Sequence, residues 1–245
     1  MSQLSEKLYF SQNPFTLYTP IHFLMLILAG ICIGIVIKKR DEIAMGKYAW
    51  LRWVFLGVYL IQQGLLYSWY AMNHQLTLHD ALPLYPCRIL QIMTIILLVS
   101  KQECIYEVLG LLGIPAAVTA LILADTSGFS FPNAMFIQFF VGHSLMILVP
   151  LYMKYLYHFS MQESATLGVI KMVGGYFIIV SFINHLIQTN YGYVSTPPVA
   201  LSFLNGVPSI IYTCGYFMIY VGVVLAGSKI ATHQDADEIV FTIES

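Results

Sequence analysis

Cys87, His143 and Asn184 stand inside three separate apolar stretches of a 245-residue chain. A thiol, an imidazole and a carboxamide are the parts of a cysteine–histidine–asparagine site. Cys87 would be the nucleophile and His143 its general base, with Asn184 fixing the imidazole. Arg88, beside the thiol, would favour the thiolate and hold a phosphate or an acyl oxyanion. Tyr85, Gln138 and Gln188 are candidates to orient a bound substrate by hydrogen bonds, with His79, Asp80 and Asp125 at the mouth of such a site.

The same residues also admit plain structural roles. A cysteine in an apolar helix is commonly a small packing residue, and Cys87 and Cys214 both fall in the outer half, which leaves a disulfide open. Asn184 and Gln188, four apart on one helical face, would serve equally to join helices, as would the Gly30–Gly34 GxxxG pair. Arg88 could snorkel to lipid headgroups.

The elements that must position these residues follow from composition. Of the chain 58% is hydrophobic and only 9% charged, and its mean hydropathy is +0.76. A soluble domain carries about a quarter charged residues, so the chain belongs in lipid. A net charge of −1 gives no footprint for nucleic acid. The four cysteines show no CxxC and no histidine at zinc spacing, so neither a metal nor any other cofactor is expected. Residues 1–20 do not read as a cleavable signal peptide.

A membrane helix needs about 20 mostly apolar residues. The expected fold is therefore all-α, a polytopic transmembrane helical bundle with seven spans near residues 21–37, 49–72, 84–99, 104–124, 134–155, 167–187 and 207–226. Residues 1–228 read as one integral membrane domain without internal repeats, and 229–245 as a polar, disordered cytoplasmic tail. Lys38, Lys39, Arg40, Lys47, Arg52, Lys101, Lys154, Lys171 and Lys229 fall on one side of this layout. The positive-inside rule puts that side in the cytoplasm, with the N-terminus outside and the C-terminus inside. Trp50 and Trp53 would then lie at the inner interface, and Trp69 and Tyr70 at the outer one.

Pro83 and Pro86 keep a regular helix from starting much before Cys87. From Arg88 to Val99 the chain is too short to cross a core of about 30 Å at 1.5 Å per residue. A broken or re-entrant lead-in to span three is therefore expected, tolerated where it is buried in protein or lines a cavity. Counting along the helices puts Cys87 and His143 each about 15–20 Å above the cytoplasmic surface, with Asn184 near the same level.

Several runs resemble the YwaF-like family of bacterial integral membrane proteins. They are LPLYPC (82–87), Glu107 with Gly110, FPNAMFIQFFVGH (131–143) followed by Pro150 and Leu151, and INHLIQTNYGY (183–193). That family is distantly similar to animal membrane acyltransferases that make ether-linked phospholipids. The resemblance implies a six- or seven-span bundle in the bacterial cell membrane, with Cys87 matching an essential cysteine and His143 the histidine of the FP…FFxxH motif. The chain departs from the pattern at Tyr85, where the signature has histidine, and around Asn205–Pro208, where a tryptophan is expected. The base would then be His143.

Three functions stay open on the sequence. The first is a lipid acyltransferase or transacylase in the multi-pass plasma membrane, with a membrane lipid as partner and acyl–Cys87 as intermediate. The second is a small-solute permease or binding protein in which Arg88, His143 and Asn184 line a cavity. The third is a non-catalytic subunit of a membrane complex, with the polar layer holding helices together.

Overall fold

A computed structural model describes residues 3–244 apart from Gln12 and Glu163, with the backbone alone given at 199, 200, 202 and 231–244. A short helix α1 (Gln3–Phe10) precedes α2 (Pro20–Lys38), the five-residue α3 (Arg40–Ala44), α4 (Leu51–Met72) and α5 (Pro86–Ser100). Next comes one continuous span built of α6 (Glu103–Val108), a π-helical turn (Leu109–Gly113) and α7 (Ile114–Ile122). The chain then forms α8 (Ala134–Tyr157), α9 (Ala165–Ile187), two 3-10 turns and α10 (Ser209–Glu244).

The chain is a helical membrane bundle. α2, the α6–α7 span, α8, α9 and residues 209–230 of α10 are long and apolar enough to cross a bilayer. α4 has the length but carries Arg52, Gln62 and Gln63. α5 has 15 residues, or about 22 Å of helix, less than the hydrocarbon thickness of about 30 Å. Pro86 opens α5 as its first helical residue, with Tyr85 extended before it. Proline fits there because a helix's first amide has no helical partner in any case. Residues 73–85 reach α5 through turns rather than helix. α10 runs on past residue 226 to Glu244, where the polar sequence suggests an irregular tail.

α8 is the axis of the bundle. Fifteen of its residues are buried, among them Phe136, Phe140, Met146 and Met153, and α2, α3, α4, α5 and α7 all pack on it. Asn133 caps it, its side chain accepting from the Met135 amide at 2.9 Å. At one end of α8 the basic residues gather. The Arg52 guanidinium donates to the Tyr157 hydroxyl at 2.9 Å, Lys101 sits over the Tyr157 ring, and Lys39 and Lys47 both bond Glu42. Those two ammonium donors hold the Glu42 carboxyl down at about 2, well below its ordinary range.

The opposite end is closed by the segment after α1. Asn13 and Phe15 pair with Ser130 and Gly128 around an isolated β-bridge from Pro14 to Phe129, and Asn133 donates to the Ser11 carbonyl. Beneath that cover Trp69 packs on Phe129 and Tyr70 on Arg88. Both aromatics are buried, so they face protein rather than the lipid interface expected for them. Trp50 and Trp53 are exposed.

His22, fully buried on α2, joins α2 to α7. Its Nδ1 accepts from the Tyr18 amide at 3.0 Å, which leaves the proton on Nε2 to donate to the Leu121 carbonyl at 2.8 Å. Replacing His22 by Leu strands that carbonyl in the packed interior. The expected cost is about 1–3 kcal/mol, read as a lower Tm of the detergent-solubilised protein. An unchanged Tm would show that the bond contributes nothing net.

Candidate functional site

A cavity of about 420 Å3 lies where α4, α5, α7 and α8 meet under the 73–85 and 125–133 loops. Its wall includes Tyr85, Cys87, Arg88, Gln91, Gln138 and His143, with Gln75, Asp80, Asp125 and Ser127 toward the mouth. Of the seven candidate residues, five thus share one cavity. Asn184 and Gln188 do not line it.

Cys87 is half-buried and is the second residue of α5. All four cysteines are free, Cys87 and Cys214 among them. The first turn of a helix leaves amide N–H groups without helical partners, and the macrodipole adds positive potential there. The short, proline-started helix therefore presents the thiol at its electropositive end.

His143 is 5% exposed and its Nε2 has no hydrogen-bond partner. Its Nδ1 lies 2.8 Å from the Phe139 carbonyl oxygen one turn earlier. A carbonyl only accepts, so Nδ1 carries the proton and Nε2 keeps a lone pair. The ring also rests on Phe139, with centroids 4.3 Å apart. The orienting group expected in Asn184 is thus supplied by the helix backbone.

Asn184 works elsewhere. Its amide donates to the Tyr191 carbonyl at 3.0 Å while its oxygen accepts from the Tyr191 amide at 2.8 Å and from the Thr189 hydroxyl. The Tyr191 hydroxyl in turn donates to the Leu78 carbonyl and accepts from the Leu82 amide. Asn184 thus holds Tyr191, and Tyr191 holds the loop that leads into Cys87. Gly192 completes this lid at φ +66, where a Cβ would collide with the Tyr176 hydroxyl and crowd Pro86. Gln188 ends α9 in a left-handed conformation and bonds the His185 carbonyl on the exposed surface.

Arg88 donates to the carbonyls of Asp80 and Leu82 and to the Tyr70 hydroxyl. It lies over the rings of Tyr70 and Tyr85 at 5.0 and 5.3 Å. Among the described residues no carboxylate forms an ion pair with it. Asp80 is engaged by the Thr77 hydroxyl and Asp125 by the Ser127 amide.

Behind the cavity lies a layer of glutamines. Gln62 of α4 donates to the Gln138 side chain at 3.0 Å and to the Gln138 carbonyl at 3.1 Å. Gln63 donates to Gln62 at 2.9 Å and to Gln91 of α5 at 3.1 Å. Room for the cluster comes from Gly142, where a Cβ would stand 2.6 Å from Gln91 Nε2 and 2.9 Å from Gln62 Nε2. The Tyr59 hydroxyl bonds the Gly142 carbonyl below it. Gln62, Gln63, Gln91 and Tyr70 belong to this site and are missing from the candidates above. The sequence carries a signal for the three glutamines, since carboxamides inside apolar spans need partners in lipid.

Gly142→Ala and Asn184→Ala separate these roles. The added methyl of Gly142→Ala overpacks the glutamine layer and costs about 1–3 kcal/mol, with altered accessibility of Cys87 to a thiol reagent. Asn184→Ala frees three hydrogen bonds of the lid and should raise the Cys87 labelling rate while lowering Tm. Labelling unchanged in both variants would uncouple the glutamine layer and the lid from the thiol.

No curated protein and no solved structure matches the chain. The model of the TMEM164 family matches residues 9–227, a range that takes in every residue of the cavity and its lid, and the chain belongs to the TMEM164 family.

Proposed function

We propose that the chain is a lipid acyltransferase or transacylase that carries the acyl group on Cys87. The supporting observation is a single cavity holding a thiol at a helix N-terminus and a buried imidazole with a free Nε2 lone pair. The likeness to the YwaF-like proteins and to the ether-phospholipid acyltransferases points the same way through Cys87 and His143.

The chemistry divides into two halves. His143 Nε2 takes the Cys87 proton as the sulfur attacks the ester carbonyl of a membrane lipid. Negative charge develops on the carbonyl oxygen, where the α5 N-terminus and the Arg88 guanidinium favour it. The C–O bond then breaks, the departing alkoxide takes the proton back from Nε2, and an acyl–Cys87 thioester remains with the lysolipid. In the second half an acceptor hydroxyl gives its proton to Nε2 and attacks the thioester. The C–S bond breaks and the sulfur regains the proton. Gln91 and Gln138 offer amide hydrogen bonds to the lipid's oxygens from the cavity wall.

The end of the bundle that carries Lys39, Arg40, Lys47, Arg52, Lys101 and Lys154 is assigned to the cytoplasm. The cavity then opens outward, so the donor is a phospholipid or lipoprotein rather than cytosolic acyl-CoA. With the plasma membrane as its site, a cysteine introduced at Gln75 should react with an impermeant maleimide added to intact cells, and one at His158 should not. The reverse pattern inverts the orientation.

The polar mouth and the turn-built lead-in to α5 also suit a small-solute binding protein or permease. One experiment separates the two. The purified chain is incubated with phosphatidylcholine vesicles and its intact mass is measured. Acyl transfer predicts a hydroxylamine-sensitive acyl adduct that is absent in Cys87→Ala and forms about a hundredfold more slowly in His143→Ala. Retained acyl transfer in Cys87→Ala overturns the covalent mechanism. Saturable solute binding that survives Cys87→Ala and is lost in Arg88→Ala would establish the permease reading instead.

A further inference from the structure

A second cavity, of about 450 Å3, lies on the other face of α5, between α5, α9 and α10. Its lining is almost wholly apolar, with Pro86, Ile89 and Met93 from α5 facing Met172, Gly175 and Ile179 from α9. The phenols of Tyr176 and Tyr220 complete it. Neighbouring residues of one helix line the two cavities, Pro86 and Ile89 the apolar one and Cys87 and Arg88 the polar one. The Tyr176 hydroxyl bonds the Leu84 carbonyl at 3.0 Å, just before the α5 N-terminus. At its outer side stands Ile179, 59% exposed. Since α9 is long and apolar enough to cross the bilayer, that side faces lipid tails.

We propose that this cavity is an acyl-chain slot, which admits one fatty chain of a membrane lipid sideways from the bilayer and presents its ester end to Cys87. The inference rests on the acyl-transfer reading of Cys87. Its occupant follows from the surroundings. A cavity that is almost wholly apolar and open to the hydrocarbon zone is filled by hydrocarbon, and this one is lined by Pro86, the residue next to the thiol that would attack an ester. Gly175 sets the room available to the chain. A Cβ there would meet nothing within 4 Å, so a larger side chain enters the slot rather than the protein. Selectivity for chain length therefore resides in Gly175 and its neighbour Met172.

The test uses the full chain in vesicles of phosphatidylcholine doped with a phosphatidylcholine that bears a diazirine on its acyl chain. After illumination, labelled positions are mapped by mass spectrometry. Met93, inside the slot, and Ile178, 73% exposed on the lipid face of α9, serve as the pair to compare. Gly175→Leu should lower labelling at Met93 about tenfold, the equivalent of losing about two buried methylenes, and leave Ile178 unchanged. Ile179→Trp, at an exposed position that does not disturb the core, should do the same. In acyl transfer, Gly175→Leu should depress long-chain donors about tenfold relative to short-chain ones. Met93 labelling indifferent to both variants overturns the slot, even where Cys87 still forms a thioester. Met93 labelling that persists in Cys87→Ala and falls in Gly175→Leu supports the slot, even where no thioester forms and the acyl-transfer reading is lost.

Discussion

The hydrogen bonds among Gln62, Gln63, Gln91 and Gln138 set the register of α4, α5 and α8. In water such bonds would compete with solvent and fix little. Inside a bilayer the amides have only one another and the backbone, so sliding any of the three helices by a residue leaves polar groups without partners. Interhelical bonds of this kind contribute only about 0.6–2 kcal/mol each. Their importance is geometric. Gln91 lies one turn below Cys87 on α5, and Gln138 lies five residues before His143 on α8. The register that satisfies the amides therefore also brings the thiol and the imidazole to one cavity. Gly142 is part of the same arrangement, because any side chain there would occupy the space of the amides.

Above that layer the site is assembled from loops, and each is tied to a helix end. Asn184 closes the turn after α9 around Tyr191, whose hydroxyl bridges two backbone groups of the 78–82 segment. The 125–133 loop is held by backbone pairing to residues 13–15. Arg88 is braced by two carbonyls and two aromatic faces, which leaves its charge uncompensated by a carboxylate among the described residues. A cation kept in that state is suited to an anionic or strongly polar guest.

Much of this is legible in the sequence. Apolar runs and proline positions give the limits of α2, α4, α5, α8 and α9 to within a few residues, because hydrocarbon thickness and the missing proline amide are constraints that need no tertiary information. The start of α5 at Pro86 is the clearest instance. Counting along helices also puts Cys87 and His143 at comparable depth. Depth is only one coordinate, however. Rotation about each helix axis and the order of helices come from packing, which is why Asn184, at similar depth, turns to Tyr191 rather than to His143. The glutamines are easily passed over because each is ordinary singly, and their meaning lies in a pairing across three helices. Aromatic belts are common and suggest an interfacial place for Trp69 and Tyr70, but a loop distant in sequence covers them.

The π-turn at Leu109–Gly113 interrupts the span formed by α6 and α7. A π-turn holds one residue more than an α-turn, so everything after it is rotated by about 100° relative to an uninterrupted helix. The two halves of this span can then address different neighbours. Leu112, within the π-turn, lines the apolar cavity, while Ala120 of α7 and Leu123 just beyond it border the polar one. The extra residue is a phase adjuster, which sets the face that α7 turns toward the polar cavity.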